Sequence, residues 1–368
     1  MAHQSRNRYE NQTLSFKFFQ GYHKEQIAFD IFYENLQRSM QMRPTKTISF
    51  VLKWIARPVI SISIIGLLLL SVNIDQVIVR FSSINIGALG LASFITLVVV
   101  VIRAYRWRII ALAYGATLSL WTSFQLIQMG NFAGQVLPSS IGGDFVRAWC
   151  GYRSGLVWRV SINTIFLDRI FGFVTLLIII ILSIPGLIFM ITDIAVLMVL
   201  VSLVLASLLL VSSVFLLDKA SPWLPFAKFR QEIALFSLTA RKFIRNWRVS
   251  VPLVFVSMVI HLLFIVAVMV LAAGIGVHIY LYDLVLLLPP VIFLTIMPFS
   301  LAGWGVREGA MVFALEYIGV PRVDAFAISV LIGIVAVIIS LPGGVFMIRD
   351  VFCRTSMNEL IAHSGGKK

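Results

Sequence analysis

Long apolar stretches separated by short basic segments are the feature that most constrains this chain. Several of them exceed the roughly 17 residues that an α-helix needs to cross a bilayer. Hydrophobic residues make up 60% of the 368 residues and charged residues only 12%, whereas soluble globular chains carry about 25% charged residues. A soluble domain with this composition has too little polar sequence to cover its surface. The chain is therefore predicted to be an all-α polytopic membrane protein.

The net charge of +14 is concentrated between the apolar stretches, as the positive-inside rule predicts for cytoplasmic loops. The clearest such loop, residues 218–250, holds seven basic and two acidic residues. The sequence has no aromatic-basic recognition motif, so no nucleic-acid partner is expected. Residues 103–118 and both termini are predicted to be cytoplasmic, and the membrane is expected to be a prokaryotic cytoplasmic (inner) membrane.

About six full spans are predicted from the apolar stretches. They cover residues 54–72, 87–102, 162–182, 193–217, 251–273 and 324–348. An uncharged turn at residues 184–186 is expected to end the third span. Two further segments, 119–159 and 283–320, each contain a proline-glycine break followed by charged residues. They are predicted to be re-entrant helical hairpins of opposite orientation, because broken backbone at membrane depth is tolerated only inside protein or beside a wet cavity.

The two broken segments align without a gap at an offset of 160 residues, Pro138–Arg147 with Pro298–Arg307. Five of the ten aligned positions are identical. Each half then contains two spans, a hairpin and a span, so that the second half enters the membrane from the opposite side. The pattern predicts an inverted repeat of residues 49–190 and 191–350, an architecture common in secondary transporters. A duplication kept for packing alone is the alternative.

Two polar tails complete the predicted organisation. Residues 1–48 are expected to be a cytoplasmic tail, and the sequence is compatible with either an interfacial helix or a partly disordered segment there. Residues 351–368 are expected to be a second cytoplasmic tail.

Arg147 and Arg307 are the leading candidates for substrate binding, because each lies about one turn into the returning helix of its hairpin. An arginine at the centre of a membrane helix costs about 2.5–3.5 kcal/mol on insertion scales, so a functional reason is expected. The N-terminus of each returning helix adds its positive dipole end. If the two tips face one cavity, a lipid phosphate is the natural occupant, since a guanidinium group binds phosphate bidentately.

The remaining candidate residues are acidic, polar or small side chains near the two tips and in the third span. They are Asp144, Glu308, Asp168, Arg169, Ser140, Gly143, Ser300, Gly303, Asn131 and Trp304. The acids either neutralise the arginines and lock the hairpins or exchange partners during transport. Asn131 either lines a polar cavity or joins two helices, and Trp304 either stacks on a substrate or fills the hairpin. Gly143 and Gly303 are expected to let a ligand approach the backbone closely.

Motifs for catalysis or for cofactors do not emerge from the sequence. There is no serine-histidine-aspartate order, no metal-ligand spacing and no phosphate-binding loop after a strand. The chain is therefore expected to have no catalytic residue, no metal and no cofactor, and to lack an ATPase of its own.

Three ordered motifs resemble a known family. They are Gly-Gln-Val-Leu-Pro-x-x-x-Gly-Gly-Asp-x-x-Arg at 134–147, Asp-Arg-x-x-Gly at 168–172 and Pro-x-Ser-x-x-Gly-x-Gly-x-Arg-Glu-Gly at 298–309. Over about residues 50–350 the chain resembles the flippase-like membrane domain at the N-terminus of lysylphosphatidylglycerol synthases and in related stand-alone proteins. The resemblance implies movement of aminoacylated phospholipids or polyprenyl-phosphate-linked sugars between leaflets. The sequence lacks the soluble aminoacyl-transferase domain of the full synthases, so translocation is expected rather than lipid synthesis.

Translocation of an anionic lipid or a polyprenyl-phosphate-linked glycolipid is thus the leading hypothesis, with membrane lipids as the partners. A homo-oligomer or a partner lipid-modifying enzyme is left open. One alternative is an intramembrane enzyme acting on a lipid phosphate or sugar, with Asp144 or Asp168 as its base. The other is a non-transporting partner of a glycosyltransferase or envelope complex.

Overall fold

Helices are the only regular secondary structure in the part of the chain that the computed structural model describes, which is residues 66, 74–137, 140–216, 227–296 and 303–365. The eleven helices of this part are α1 (Ile74–Ser82), α2 (Ile86–Ala113), α3 (Leu120–Val136), α4 (Ser140–Arg153), α5 (Trp158–Met190), α6 (Ile194–Val214), α7 (Ala227–Arg245), α8 (Trp247–Gly274), α9 (Leu281–Ile296), α10 (Val306–Glu316) and α11 (Arg322–Gly365). The predicted N-terminal tail, residues 1–48, lies outside the described residues.

Five of these helices are long and apolar enough to cross a membrane, namely α2, α5, α6, α8 and residues Arg322–Asp350 of α11. They coincide with five of the predicted spans, and the predicted span at 54–72 lies outside the described residues. The chain is therefore a polytopic all-α membrane protein, as the sequence predicts.

The two predicted hairpins are built from shorter helices. The first consists of α3 and α4, with 17 and 14 residues, and the second of α9 and α10, with 16 and 11 residues. A full crossing takes about 20 residues. These four helices are shorter than that, which fits segments that enter the bundle and turn back.

Both outer ends of the first hairpin lie beside the last turns of the spanning part of α11. The ring of Trp121, in the first turn of α3, meets that of Phe346 edge-on at 5.8 Å. At the end of α4, Arg153 forms an ion pair with Asp350 at 3.7 Å. The first hairpin therefore enters and leaves from one end of the helix bundle.

The outer ends of the second hairpin lie at the opposite end. The start of α9 packs on the last turns of α5, where a Cβ on Gly186 would lie 2.8 Å from Leu286 and 2.9 Å from the hydroxyl of Tyr282. The end of α10 leads through a short turn to the start of α11, and Glu316 pairs with Arg322 across it. The two hairpins thus enter the bundle from opposite ends, as predicted.

The packing of the hairpins is reciprocal between the two halves. The first helix of each hairpin packs on the last span of the other half, α3 on α11 and α9 on α5. Gln128 Nε2 donates to the carbonyl of Ile339 at 2.9 Å, and Ser183 Oγ lies 3.3 Å from the carbonyl of Val285. Helices α2 and α8, the second predicted spans of the two halves, also pack along each other.

Two segments predicted to be connections contain helix. The turn expected at residues 184–186 is helical, because α5 continues to Met190 with Pro185 inside it. Packing of Gly186 against α9 stabilises this extension. The predicted loop 218–250 contains helix α7, which buries Ala240 and Phe243 in a cluster with residues of α2, α5 and α8.

We expect cysteine labelling to reproduce the two ends of the bundle. Three exposed positions serve as probes: Thr117 after α2, Lys242 on α7 and Arg322 at the start of α11. With Cys150 and Cys353 replaced by serine, a membrane-impermeant maleimide should label Thr117→Cys and Lys242→Cys from the cytoplasm and Arg322→Cys from the outside. Labelling of all three from one side would contradict the oppositely oriented hairpins.

Candidate functional site

Asp168, in the middle of α5, is the centre of a buried charge cluster. Its Oδ1 accepts a hydrogen bond from Arg106 Nε at 2.8 Å, and its Oδ2 accepts from both terminal nitrogens of Arg147 at 3.3 Å. The three residues are only 1%, 5% and 2% exposed, in that order. A buried carboxylate that pairs with two guanidinium groups is costly to remove, because the positive charges left behind lose their counter-charge. Asp168 therefore joins α2, α4 and α5 at one point.

Neighbouring side chains hold the two buried arginines in place. Arg106 also donates to Ser257 Oγ of α8 at 3.0 Å. The guanidinium carbon of Arg147 lies 4.9 Å from the ring centroid of Trp107, within range of a cation–π interaction. The indole nitrogen of Trp107 donates in turn to Thr164 at 3.2 Å. Arg147 is thus fixed by a carboxylate on one side and an aromatic face on the other.

Asp144 pairs with Arg169 at 2.8 Å. Asp144 is one turn from Arg147 on the same helix, but its ion-pair partner is on the next helix. The fully buried Arg147 takes the fully buried Asp168, whereas Asp144 and Arg169 meet nearer the surface, with side chains 23% and 48% exposed. The two ion pairs cross between α4 and α5 and fasten the returning helix of the hairpin to the span that follows it.

Arg103 belongs to the same cluster but has no carboxylate partner within ion-pair distance among the described residues. Its Nη1 donates to Asn131 Oδ1 at 3.3 Å. The positive charges of Arg106, Arg147 and Arg169 repel its guanidinium group, and the negative charge of Asp168 attracts it. Arg103 is only partly buried. Its charge is therefore available to a ligand in a way that the charges of Arg106 and Arg147 are not.

A cavity of about 510 Å³ lies against this cluster. One part of its wall is polar and is formed by Arg103, Arg106, Asp168, Arg169 and His261. The rest is apolar and comes from α2, α5, α6, α8 and α9, including Phe166, Phe173, Leu210, Val211, Phe264 and Ile296. Phe166 and Leu210 are 57% and 60% exposed, so the cavity opens at the outer surface of the helix bundle.

The second hairpin carries a smaller cluster around Glu308. Arg307 donates from Nε at 3.1 Å and from Nη2 at 2.5 Å to Glu308 Oε1, and its guanidinium carbon lies 4.6 Å from the ring centroid of Trp304. The backbone N–H of Gly305 donates to Glu308 Oε2 at 2.6 Å. Trp304 thus contacts the arginine beside it. Neither Arg147 nor Arg307 lines the cavity described above, so the structure does not bring the two together there.

The glycines at the tips meet protein rather than open space. A Cβ on Gly143 would collide with the carbonyl oxygen of Gly130 and lie 3.1 Å from the Cα of Gly134, so α3 and α4 are in direct backbone contact. Gly303 has a positive φ of 84°, and a Cβ added to it would lie 2.8 Å from the side chain of Thr295. The side chain of Ser140 and all of Ser300 lie outside the described part of the chain.

Substitution of Gly143 by alanine is expected to destabilise the protein by about 1–3 kcal/mol, because the added methyl group forces α3 and α4 apart. The matched control is Gly90→Ala in α2, where an added Cβ meets nothing within 4 Å and helix propensity improves by about 1 kcal/mol. Thermal unfolding of the purified proteins in detergent measures both. An equal melting temperature for the two variants would contradict this packing.

Sequence reasoning misses three residues of the site. The span predicted over 87–102 is expected to end at Arg103 and Arg106, but α2 continues to Ala113 and Arg106 is buried in the protein. The apolar run after Arg108, Ile-Ile-Ala-Leu-Ala at 109–113, is the signal of that continuation. His261, interpreted from the sequence as a helix–helix hydrogen-bond partner, does contact the carbonyl of Gly172 at 3.0 Å, and it also lines the cavity.

Metal-binding potential is not evident in this region. Within the ranges described, no group of three or more histidine, cysteine, aspartate or glutamate side chains is placed to hold an ion.

Comparison with known proteins agrees with the motifs. The family model described as the lysylphosphatidylglycerol synthase TM region matches residues 54–344. No curated protein and no solved structure matches the chain. The matched region includes all of helices α1 to α10, both hairpins and the cavity. The chain belongs to the family of the lysylphosphatidylglycerol synthase transmembrane region.

Proposed function

We propose that this protein translocates an anionic lipid or a polyprenyl-phosphate-linked glycolipid between the two leaflets of the membrane. The observation that carries the proposal is the cavity, which combines a basic end with apolar walls and opens beside exposed apolar side chains of α5 and α6. A lipid has the same division, with a charged phosphate and hydrocarbon chains. Family membership places the chain among lipid-related membrane proteins, and translocation is our inference.

The headgroup is expected to bind at Arg103 and Arg169. Both guanidinium groups reach the cavity, and both are less buried than Arg106. Guanidinium groups bind phosphate oxygens through paired hydrogen bonds. The hydrocarbon chains would lie along the apolar wall between α5 and α6, where Phe166 and Leu210 are exposed. A phosphate at this depth would be screened from hydrocarbon by the protein's own charges.

The reciprocal packing of the hairpins supports an inverted repeat. Transporters of that architecture place their site near the membrane midplane, where two oppositely oriented repeats meet. In this protein the cavity is bounded by helices of both halves, with α2 and α5 from the first and α8 and α9 from the second. Rocking of one half against the other would expose the basic end to either leaflet in turn.

The alternative of an intramembrane enzyme is less well supported by the same contacts. A general base needs a carboxylate oxygen that can reach the substrate. Asp168 engages Arg106 and Arg147 through both oxygens, and Asp144 is paired with Arg169. Neither carboxylate is placed as a free base. Unchanged lipid mass after incubation with the purified protein is the expected result.

The test is leaflet exchange in reconstituted vesicles, with a variant that obstructs the cavity. Leu210→Trp adds bulk to the apolar wall and is expected to slow exchange of labelled phosphatidylglycerol about tenfold, the effect of ~1.4 kcal/mol. The control is Leu209→Trp, because Leu209 is also exposed, at 72%, but does not line the cavity. It should exchange lipid at the wild-type rate.

Two results would count against the proposal. One is a wild-type protein that exchanges no tested lipid faster than protein-free vesicles. The other is a folded Leu210→Trp variant that is as fast as Leu209→Trp, which would place the lipid pathway elsewhere.

A further inference from the structure

The charges around the cavity do not balance. Four guanidinium groups, those of Arg103, Arg106, Arg147 and Arg169, surround only two carboxylates, those of Asp144 and Asp168, in the described part of the chain. The cluster therefore carries a surplus of two positive charges. The Nε of Arg147 is buried without a hydrogen-bond partner among the described residues, which also indicates that the guanidinium groups outnumber their acceptors.

Asp144 and Asp168 are the acidic residues of the described chain whose charges act on Arg103 and Arg147, and the other carboxylates that form ion pairs do so away from this cluster. Their ion pairs join other arginines, as in Arg159 with Glu232, Arg307 with Glu308 and Arg80 with Asp324. The sequence segments 50–73, 138–139 and 297–302, which include the first predicted span and both hairpin tips, contain no acidic residue. The surplus is therefore not compensated by a neighbouring acid of the described helices.

Two uncompensated charges beside a low-dielectric membrane are costly, and a bound anion reduces that cost. A headgroup with two negative charges neutralises the cluster, one with a single charge leaves half of the surplus, and a zwitterionic headgroup leaves all of it. At a cavity wall, with an effective dielectric constant of about 20, one additional charge is strongly favoured before desolvation is subtracted. Headgroup charge should therefore dominate selectivity.

We infer that the cavity selects lipids whose headgroup carries two negative charges, which means a phosphomonoester or a diphosphate. This inference rests on the proposed function of the cavity as a lipid site and specifies its substrate class. A phosphomonoester carries about −1.5 to −2 charges at pH 7, whereas a phosphodiester carries one. Arg103, which has no carboxylate partner among the described residues, supplies the charge that distinguishes the two.

The same reasoning disfavours lysylphosphatidylglycerol, the lipid in the name of the family. Its single phosphodiester is outweighed by the two amino groups of the lysyl ester, so that its headgroup is a net cation. A cationic headgroup adds to the surplus of the cluster, and like charges at close range are repulsive. The cavity of this family member is therefore matched to a different headgroup.

The experiment measures binding, which keeps it independent of exchange. Full-length protein in a nonionic detergent is titrated with dihexanoyl phosphatidic acid, phosphatidylglycerol, phosphatidylethanolamine and lysylphosphatidylglycerol at about pH 8, where the phosphomonoester is almost fully ionised. Inorganic phosphate is the soluble probe. We expect phosphatidic acid to bind at least about tenfold more tightly than phosphatidylglycerol, and the other two lipids more weakly still.

Arg103→Gln is the diagnostic variant, because it removes one surplus charge without breaking an ion pair. It should reduce the preference for phosphatidic acid over phosphatidylglycerol to within about threefold. Arg108→Gln is the matched control. Arg108 lies on the same helix, donates to the carbonyl of Leu118 at 3.0 Å and does not line the cavity, so its loss should leave the preference unchanged.

Equal binding of phosphatidic acid and phosphatidylglycerol by the wild type would overturn the inference, as would a preference that survives in Arg103→Gln. Inorganic phosphate that binds as tightly as phosphatidic acid would overturn the assignment to a lipid. Selective binding without leaflet exchange would refute the proposed function and leave the charge selectivity standing. Exchange at one rate for every headgroup, without selective binding, would support the proposed function and refute the charge selectivity.

Discussion

Asp168→Asn is expected to destabilise the protein by roughly 3–5 kcal/mol, the usual result of removing one partner from a buried ion pair. The amide can replace one hydrogen bond but neutralises neither Arg106 nor Arg147. Both guanidinium groups would then be buried without a counter-charge, at 5% and 2% exposure. The melting temperature in detergent should fall on the order of 10 °C, or the folded protein should fail to accumulate in the membrane.

Two further variants distinguish the loss of the negative charge at position 168 from the general effect of replacing an aspartate by an asparagine. Asp193→Asn makes the same chemical change at the N-cap of α6, where the side chain accepts from the N–H of Ala195, and asparagine caps a helix equally well. Its melting temperature should equal that of the wild type. Arg106→Gln combined with Asp168→Asn restores the wild-type net charge of the cluster and should recover part of the loss. If Asp168→Asn alone has the melting temperature of the wild type, Asp168 is not the centre of the cluster.

The class of the fold and the positions of most elements are readable from the sequence because they depend on local properties. Apolar runs of sufficient length predict five spans that the structure places at nearly the same residues. The breaks after α3 and α9 predict two hairpins, and the alternation of basic and neutral connections predicts their opposite orientation. Each of these sequence signals lies in or next to the helix that it predicts.

Helix ends are less predictable when packing overrides local signals. A proline inside a membrane helix is tolerated when neighbouring helices compensate, and α5 continues past Pro185 because α9 packs on Gly186. The basic residues after position 102 favour the end of a span when only the sequence is considered. They are instead part of α2, since Asp168 and Ser257, distant in sequence, provide partners for Arg106.

Partners within the charge cluster are the least predictable part of the site. Asp144 and Arg147 are one turn apart on α4, and helical spacing alone favours a pair between them. The crossed pairs with Arg169 and Asp168 depend on how α4 packs against α5 and on which side chains are buried. No property of either segment alone contains that information.

The two aligned hairpins differ in the ion pairs that their arginines form. Arg147 and Arg307 occupy aligned positions, and each contacts an indole ring and a carboxylate. The carboxylate of Arg147 comes from the following span and lines the cavity, whereas that of Arg307 is its own neighbour, Glu308. The two hairpins share a fold, but only the first is connected to the cavity through its arginine.

Lysine substitutions at the two arginines should therefore have unequal effects on lipid exchange. Arg147→Lys keeps the charge but replaces two donating nitrogens with one and loses the planar contact with Trp107. Asp168 is then held less firmly where it faces the cavity, and exchange is expected to fall about tenfold, corresponding to ~1.4 kcal/mol. Arg307→Lys should stay within about twofold of the wild type, because the Gly305 N–H continues to hold Glu308 at 2.6 Å outside the cavity.

The comparison requires variants of equal melting temperature and equal density in the vesicles, so that exchange rates report on the pathway and not on the amount of folded protein. A lysine at 147 also leaves the surplus of positive charge unchanged, and headgroup preference should therefore persist while the rate falls. Equal losses of exchange at 147 and 307 would instead favour a paired-arginine pathway through both hairpin tips. Wild-type rates in both variants would indicate that the two arginines only stabilise their hairpins. The phosphate would then contact Arg103 and Arg169 alone.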